Sequence, residues 1–141
     1  MKNPDCIFCK IVAGQLPCVR IYENDRSIAF LDIHPSALGH TLIVPKEHYD
    51  HILKTPIEVA TSMIHALQAV APSVMSAVGA HAFNTCVNTG TDSGQIIFHT
   101  HLHLLPRFKD DGKQMWEHRD ASNDELRELQ AKIEYFMKEK H

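Results

Sequence analysis

Alternation of apolar and polar residues along the chain predicts short strands separated by turns, together with two longer stretches at helical period. Runs typical of strands lie at Val19–Tyr22, Ser27–Leu31, His40–Val44, Phe83–Asn88 and Phe98–Arg107. The polar link between the first two runs predicts a hairpin, and the last two runs are expected to pair antiparallel. We therefore predict an α+β fold with an antiparallel sheet of about five strands, one long helix and a C-terminal helix.

Capping signals mark the start of both long helices. Thr55-Pro-Ile-Glu58 is a capping box with proline at the first helical position, and it predicts a helix that ends near Val78. Pro72 is expected to bend this helix or relax one turn of it. Its predicted core stripe, at helical spacing, is Ala60, Met63, Ile64, Leu67, Ala71, Val74 and Val78. Ser122-Asn-Asp-Glu125 is a second capping box, which opens the C-terminal helix.

Length and charge narrow the classes of function. A chain of 141 residues can bury a core as one domain, so we predict a single domain 1–141, with its core at 6–108 and a C-terminal loop and helix at 109–141. The formal net charge of -3 does not indicate the basic surface with which proteins bind duplex nucleic acid. No apolar run reaches the ~18 residues of a membrane span, and no signal-like stretch opens the chain. We expect a cytoplasmic protein that binds neither duplex nucleic acid nor membrane.

Three histidines alternate with apolar or β-branched residues in the run Phe98–Arg107. On a regular strand His99, His101 and His103 point to one face, with neighbouring rings ~7 Å apart. A core strand would carry Val or Ile at these positions, because burying an unpartnered imidazole nitrogen costs ~1–3 kcal/mol. Three titratable rings on one stripe therefore indicate a functional site.

Four cysteines in a reducing compartment do not indicate a disulfide framework. Cys6-x-x-Cys9, followed by a helical turn or two that ends at Gly14, is typical of metal sites and of redox sites. No strand is predicted ahead of the pair, as a thioredoxin-like redox site would require, so metal binding is favoured. Cys18 and Cys86 lie in apolar segments and are interpreted as small buried hydrophobic residues.

The His-x-His-x-His run, preceded by Gly94-Gln95 and followed by two apolar residues, resembles the histidine triad (HIT) family of nucleotide hydrolases and transferases. Similar blocks of that family match Cys6–Gly14, Phe30–Ile33, Gly39–Lys46 and Asn88, so the resemblance covers residues 6 to about 108. It implies a HIT-like sheet and a homodimer in which two sheets join edge to edge.

The resemblance also implies a mechanism. His101 would be the nucleophile that attacks the α-phosphorus of a nucleotide carrying an amine, alcohol or phosphate leaving group, and a nucleotidyl-histidine would then be hydrolysed. A neutral imidazole is available for this attack near pH 7. His103 would donate to the phosphoryl oxygens, and His40 would orient the nucleophilic strand.

The implied ligand is a purine nucleotide or a nucleotide conjugate such as an AMP derivative. Its predicted binding residues are Asp32, Ile33, Asn88, Gly94, Gln95, Ile96 and His103. Asp32 would accept both ribose hydroxyls. Ile96 departs from the family branch that hydrolyses phosphoramidates, which has a hydroxyl residue there, so phosphoramidates and dinucleoside polyphosphates both stay candidate substrates.

Some members of the family carry a structural zinc site at positions that match Cys6, Cys9, His48 and His99 here. Two thiolates and two imidazoles close tetrahedrally around Zn²⁺ and leave no open position for water. The alternative is that both cysteines are free thiols and His48 is a surface residue. Two other functions are also considered: a zinc-stabilised nucleotide-binding or interaction module with vestigial catalysis, and a catalytic metal held by the three histidines. The latter is disfavoured because no carboxylate lies beside the triad.

Overall fold

Five antiparallel strands form one sheet in the part of the chain that the computed structural model describes, residues 2–140. The elements in chain order are α1 (Ile7–Val12), β1 (Arg20–Glu23), β2 (Ser27–Leu31), β3 (Thr41–Pro45), α2 (Ile57–Val78), β4 (Ala82–Cys86), β5 (Leu102–Arg107) and α3 (Asn123–Glu139). The predicted α+β fold, with its long helix and C-terminal helix, is confirmed. The predicted domain ends, residues 1 and 141, lie outside the described residues.

The strand order is β1-β2-β3-β5-β4, so β5 lies between β3 and β4. The predicted hairpin of β1 and β2 is present, and Asn24 Oδ1 shapes its turn by accepting hydrogen bonds from the backbone and side chain of Ser27. The predicted antiparallel pairing of β4 with β5 is also present. His103, near the start of β5, lies opposite Leu42 on β3 and Cys86 on β4.

The two faces of the sheet have different partners. One face packs on α2 through Ala29, Ile43, Leu102 and Leu104. The other packs on α1 through Ile28, Phe30, Leu42 and Val44. Side chains alternate between faces along a strand, so His103, which follows Leu102, points to the α1 face. The fold thus buries apolar side chains on both faces of the sheet and presents the histidine of β5 on the α1 face.

The start and the buried stripe of α2 differ from the prediction. Pro56 is the N-cap, and Thr55 forms no capping box because its hydroxyl bonds to the His51 carbonyl and the Thr100 hydroxyl instead. The buried residues are Val59, Met63, Ala66, Val70, Ala71 and Val74. The predicted stripe was therefore rotated slightly, and Ile64 is exposed. The helix continues through Pro72, which lies on its exposed face.

The last two strands are shorter than predicted. β4 ends at Cys86, before Asn88, and β5 begins at Leu102, so residues 98–101 are irregular. The Thr100 N–H bonds to the Tyr49 carbonyl at 2.7 Å, outside the strand ladder. The regular ~7 Å spacing of three rings was therefore wrong: the ring centroids of His101 and His103 lie 4.9 Å apart.

The chain divides into two compact units, one ending at Asp111 and one beginning at Gly112. The second unit contains α3, and Ser122 Oγ caps it by accepting the Glu125 N–H, as predicted. The apolar residues Leu126, Leu129, Ile133 and Phe136 of this helix are each at least half exposed. Among the helices within residues 2–140, none has the length and apolarity needed to cross a membrane.

We predict that Gly39→Ala destabilises the protein more than Gly79→Ala. Both glycines have positive φ, of +85° and +71°, so each alanine carries the left-handed backbone penalty of ~1–2 kcal/mol. A Cβ at Gly39 would also lie 2.9 Å from Val78 Cγ1 and 3.2 Å from Pro106 Cγ, and such overpacking costs ~1–3 kcal/mol more. No described atom lies within 4 Å of a Cβ at Gly79.

Urea unfolding of both variants and of the wild type, at one fixed zinc concentration, measures this difference. Gly79→Ala controls for the backbone penalty alone. Equal losses in the free energy of unfolding would show that the contacts around Gly39 relax at no cost.

Candidate active site and metal cluster

A cavity of about 540 Å³ opens on the α1 face of the sheet. One part is apolar and the other carries imidazole, carboxylate and amide groups. The apolar part is lined by Ile7, Phe8, Ile11, Leu16, Pro17, Cys18, Phe30, Leu31, Leu42 and Ile97. The polar part includes Asp32, His34, Asn88, His101 and His103, and the lining also includes Ile33, Gly94 and Ile96. The volume of the cavity and its combination of apolar and polar side chains are typical of sites that bind small molecules.

His101 lines this cavity, and one of its two ring nitrogens is engaged in a hydrogen bond. Its Nδ1 lies 2.7 Å from the carbonyl oxygen of His99, so the neutral ring donates its single proton there and Nε2 keeps a lone pair. Burial lowers the pKa of His101, although the hydrogen bond to His99 and the charge of Asp32 raise it. The Phe8 ring packs on it edge-on at 5.1 Å. His101 is therefore held as a neutral ring with an unprotonated Nε2.

His103 is held in the opposite tautomer by a chain of hydrogen bonds. The Ser36 N–H donates to His40 Nδ1 at 3.0 Å, so neutral His40 carries its proton on Nε2. That nitrogen lies 2.9 Å from His103 Nδ1 and donates to it. His103 consequently carries its proton on Nε2 as a donor. Burial, followed by the charges of His101 and His40, lowers the pKa of His103 to about 4, so the ring is neutral at pH 7.

Asp32 lies beside this chain, and its position does not indicate a metal site. Its Oδ1 accepts the His34 N–H, and its Oδ2 lies 3.6 Å from His40 Nε2. Asp32, His40 and His103 bring three ligand atoms within 4.8 Å of one another. A metal would need a lone pair on His40 Nε2, whereas the bond from Ser36 places the proton on that nitrogen. His40 and His103 are better described as a hydrogen-bonded pair with the Asp32 carboxylate nearby.

Cys6, Cys9, His48 and His99 form the other cluster, with ligand atoms within 4.8 Å of one another. His99 Nδ1 lies 3.4 Å from Cys6 Sγ and 3.6 Å from Cys9 Sγ, and His48 Nδ1 lies 3.4 Å from Cys9 Sγ. Tetrahedral zinc, with bonds of ~2.3 Å to sulfur and ~2.0–2.1 Å to nitrogen, places such atoms ~3.6 Å apart. The spacing therefore fits zinc.

The outer nitrogens of both imidazoles support this fit. His99 Nε2 donates to the Pro45 carbonyl at 2.9 Å, and His48 Nε2 bonds to Asp50 Oδ1 at 3.1 Å. Both Nδ1 atoms are thereby left as lone-pair ligands, which is the usual arrangement around a bound metal. Burial lowers the pKa of His99 to about 4, which keeps the ring in the neutral form that a ligand requires.

Not all of the residues predicted to bind a nucleotide line the cavity. Six of them line the cavity: Asp32, Ile33, Asn88, Gly94, Ile96 and His103. Gln95 does not: its buried amide accepts the Gly90 N–H and donates to the carbonyls of Asp50 and Ile97. Gln95 thus holds the loop that carries its neighbours. His40 contacts His103 on the histidine strand, and its predicted role of orienting that strand stays a prediction.

Sequence reasoning missed several contributors to the site. Ile7, Phe8 and Ile11 form an apolar wall of the cavity, and the Ser36 N–H sets the tautomer of His40. The apolar residues that neighbour Cys6 and Cys9 in the sequence could have predicted this apolar wall. Nothing in the sequence indicated Ser36, because its contribution comes from the backbone. Cys18 and Cys86 are only partly buried, and Cys18 lines the cavity, so the interpretation of both as buried residues was wrong.

A profile described as HIT domain matches residues 13–110 of the chain. The chain belongs to the HIT family. It is 43% identical over 103 residues to adenylylsulfatase HINT3 of Arabidopsis thaliana, a match covering 73% of this chain but about half, 52%, of that protein. It is 37% identical over 102 residues to adenosine 5'-monophosphoramidase hnt1 of Schizosaccharomyces pombe, covering 72% of this chain and 74% of the relative.

A solved structure of the family bears on the metal cluster. The crystal structure of a zinc-bound histidine triad family protein from Mycobacterium smegmatis superposes with a TM-score of 0.73 at 34% identity, and the match covers 93% of this chain and 96% of that one. Zinc therefore occurs in a HIT protein of similar fold. In this chain the Cys2His2 set is the cluster whose donors suit it.

We predict about one zinc ion per chain, released by Cys9→Ser. Loss of a structural zinc removes folding free energy, so the melting temperature should fall by more than about 10 °C. Metal analysis and thermal denaturation of the purified protein measure both effects. Cys86→Ser, at a partly buried cysteine outside the cluster, is the matched control and should retain the metal. A folded, monodisperse wild type without zinc would contradict the prediction.

Proposed function

We propose that this HIT protein is a nucleotide hydrolase that cleaves a nucleotide conjugate at the α-phosphorus, with His101 as the nucleophile. The observation that carries the proposal is the pair of opposed tautomers at the cavity. His101 offers an unprotonated Nε2, while His103, with its ring centroid 4.9 Å away, offers an N–H. Nucleophilic attack on phosphorus needs the first group, and the charge on the phosphoryl oxygens needs the second.

The first step forms a bond between His101 Nε2 and phosphorus and breaks the bond to the leaving group, which departs with the electron pair. His101 becomes positively charged, and its Nδ1–H remains bonded to the His99 carbonyl, which stabilises that charge. A leaving amine takes up a proton from water, since Ile96 offers none. In the second step water attacks phosphorus, the P–N bond breaks, and its electron pair returns to Nε2. The water proton passes to solvent and a nucleoside monophosphate is released.

The cavity lining supports a bound nucleotide conjugate. Its apolar wall suits a purine base, and the Asp32 carboxylate suits ribose hydroxyls. Gly94 and Ile96 also line the cavity, where we assign them to the phosphate and the leaving group, and Gln95 supports the loop that carries them. The homodimer and the cytoplasmic location implied by the family resemblance stay predictions.

Charge favours a substrate with a single ionised phosphate. Among the described residues that line the cavity there is no lysine or arginine, and Asp32 adds a carboxylate. A polyphosphate with several negative charges would find no counterion there. HINT3 is named for an adenylyl sulfate and hnt1 for an AMP phosphoramidate, and both names support an AMP conjugate. We therefore favour an AMP phosphoramidate or mixed anhydride, and we keep dinucleoside polyphosphates as the second candidate.

We predict that His101→Ala retains fold and zinc but loses at least ~10³-fold in kcat, because only binding and electrostatic contributions remain without the nucleophile. His65→Ala, at an exposed position on α2, is the matched control and should hydrolyse substrate at the normal rate.

Rapid quenching of the wild type at high pH with labelled substrate should trap a phosphoramidate adduct that peptide mapping places on His101. Near-normal turnover by His101→Ala, or a label on His103, would contradict the assignment. A protein that binds AMP tightly but turns over no conjugate would instead be the binding module with vestigial catalysis.

We predict that Ile96→Ser raises, by ~10-fold, the ratio of kcat/KM for an AMP phosphoramidate to kcat/KM for a dinucleoside polyphosphate. A hydroxyl at the cavity mouth assists a departing amine, whereas a departing phosphate needs little protonation. Ile33→Ser is the control, because it makes the same change at another exposed cavity position, 76% exposed against 87% for Ile96. Steady-state kinetics on both substrates measure the ratio, and equal effects would show that position 96 acts through shape alone.

A further inference from the structure

Helix α1 belongs both to the metal cluster and to the cavity. Cys6 is its N-cap residue and Cys9 lies one turn later, and the sulfurs of both lie in the cluster. The same helix supplies an apolar wall of the cavity, formed by Ile7, Phe8 and Ile11. The Phe8 ring packs edge-on against His101, with ring centroids 5.1 Å apart, and against Phe30, at 5.8 Å. A change at the two cysteines therefore acts on a helix that lines the cavity.

The cluster and local packing are the main supports of α1. The helix has six residues, a length at which isolated helices are not stable in water, and its N-cap side chain makes no capping bond. Among residues 2–140, the side chains of α1 and its N-cap make hydrogen bonds beyond the N-terminal segment only through the two sulfurs, which contact His48 and His99 at 3.4 to 3.6 Å. Burial of Phe8 and Ile11 supplies the remaining support. The position of the wall thus depends on the cluster.

The spacing of Cys6 and Cys9 suits an intramolecular disulfide. Residues three apart on a helical turn have Cα atoms ~5 Å apart, and a disulfide spans roughly 4.4–6.8 Å between Cα atoms. The two sulfurs already lie within 4.8 Å of each other. Cys6 is partly exposed as a residue, whereas Cys9 is buried. An accessible thiolate beside a resolving cysteine is the arrangement that oxidants convert to a disulfide.

We propose that Cys6 and Cys9 are an oxidation site through which a peroxide switches nucleotide binding off. The Cys6 thiolate attacks one peroxide oxygen and becomes a sulfenic acid, and hydroxide leaves. The Cys9 thiolate then attacks the sulfenic sulfur, the S–S bond forms, and a second hydroxide leaves. Two protons from solvent convert both hydroxides to water. The cysteine pair has lost two electrons, and the peroxide has gained them.

The disulfide would act on the cavity through α1. Its sulfurs are no longer thiolates, so zinc would keep only His48 and His99, two of the four ligands that a closed site needs. With the metal released, α1 loses its ties to both histidine-bearing segments, and the Phe8 wall loosens. The inference takes its ligand, an AMP moiety, from the proposed function, whereas oxidation and metal release do not depend on that function.

The first experiment treats the zinc-loaded wild type with hydrogen peroxide and follows the metal, the thiols, the helix and the cavity. A chromogenic chelator should report release of the zinc. The tryptic peptide Asn3–Lys10 contains both cysteines, so the disulfide should lower its mass by two hydrogen atoms. Hydrogen exchange of the α1 amides should become faster, and the Kd for AMP should rise at least ~10-fold, because one lost apolar wall residue costs that much. A thiol reductant with added zinc should reverse all these changes.

Two variants separate the disulfide from other oxidation. Cys6→Asp keeps a zinc ligand but cannot form the disulfide, so at saturating zinc the same peroxide dose should leave its metal and its Kd for AMP unchanged. Cys86→Ser removes a cysteine outside the cluster and should respond as the wild type does. Zinc release from Cys6→Asp at the wild-type rate would overturn the disulfide step. If Cys6→Asp does not hold zinc, peptide mapping of the wild type decides alone.

Other outcomes would overturn the proposal. One is a wild type that takes up no zinc or keeps it while Cys18 or Cys86 is oxidised. Another is a disulfide that forms with zinc released while the Kd for AMP changes less than ~2-fold. Loss of the whole fold, seen by circular dichroism, would also count against a switch confined to α1. A reduced, zinc-loaded protein that binds no AMP, but whose α1 exchange follows oxidation, would contradict the proposed function and leave the oxidation site standing.

Discussion

A neutral imidazole carries one proton, so a hydrogen bond that engages one ring nitrogen determines what the other nitrogen can do. Every histidine of the two sites is governed in this way. Carbonyl or carboxylate acceptors take the outer protons of His99 and His48 and leave ligand lone pairs. A carbonyl takes the Nδ1 proton of His101, whereas a backbone N–H gives His40, and through it His103, the opposite pattern. The proposed nucleophile, the proposed donor and the candidate metal ligands are thus the same kind of side chain with different hydrogen-bond partners.

The two faces of the sheet differ in what they leave open. The α2 face is closed by aliphatic side chains, and the α1 face leaves a cavity between Phe30, Leu42 and the first helix. Burial on this second face also acts on charge, because it lowers the pKa of His40, His101 and His103 and keeps three adjacent rings neutral. Three mutually repelling cations would otherwise form at moderately acidic pH.

Much of the fold followed from local patterns. Period-2 runs and turn residues placed all five strands, and the Ser122 cap of α3 was found from its spacing. The Thr55 capping box failed because a tertiary partner, Thr100, engages the hydroxyl that a local rule assigns to the helix. The break at residues 98–101 could not be predicted either. A regular strand places all three histidines on one face, and the sequence pattern is consistent with that. In the structure, however, the His99 ring contacts Cys6 in the metal cluster and not the other two histidines. The sequence identified many of the candidate site residues, whereas their hydrogen bonds could be read only from the folded chain.

The absence of cationic side chains among the described residues lining the cavity also bears on kinetics. A pocket without positive potential does not focus a charged ligand from solution, so encounter depends on diffusion and on contact with the apolar wall. Association should then be nearly insensitive to ionic strength. If the proposed substrate is a phosphoramidate, the released monophosphate carries one more negative charge once the P–N bond is cut, so it loses affinity as it forms. Under the proposed function, the cavity would thus admit a weakly charged conjugate and favour release of its more highly charged product.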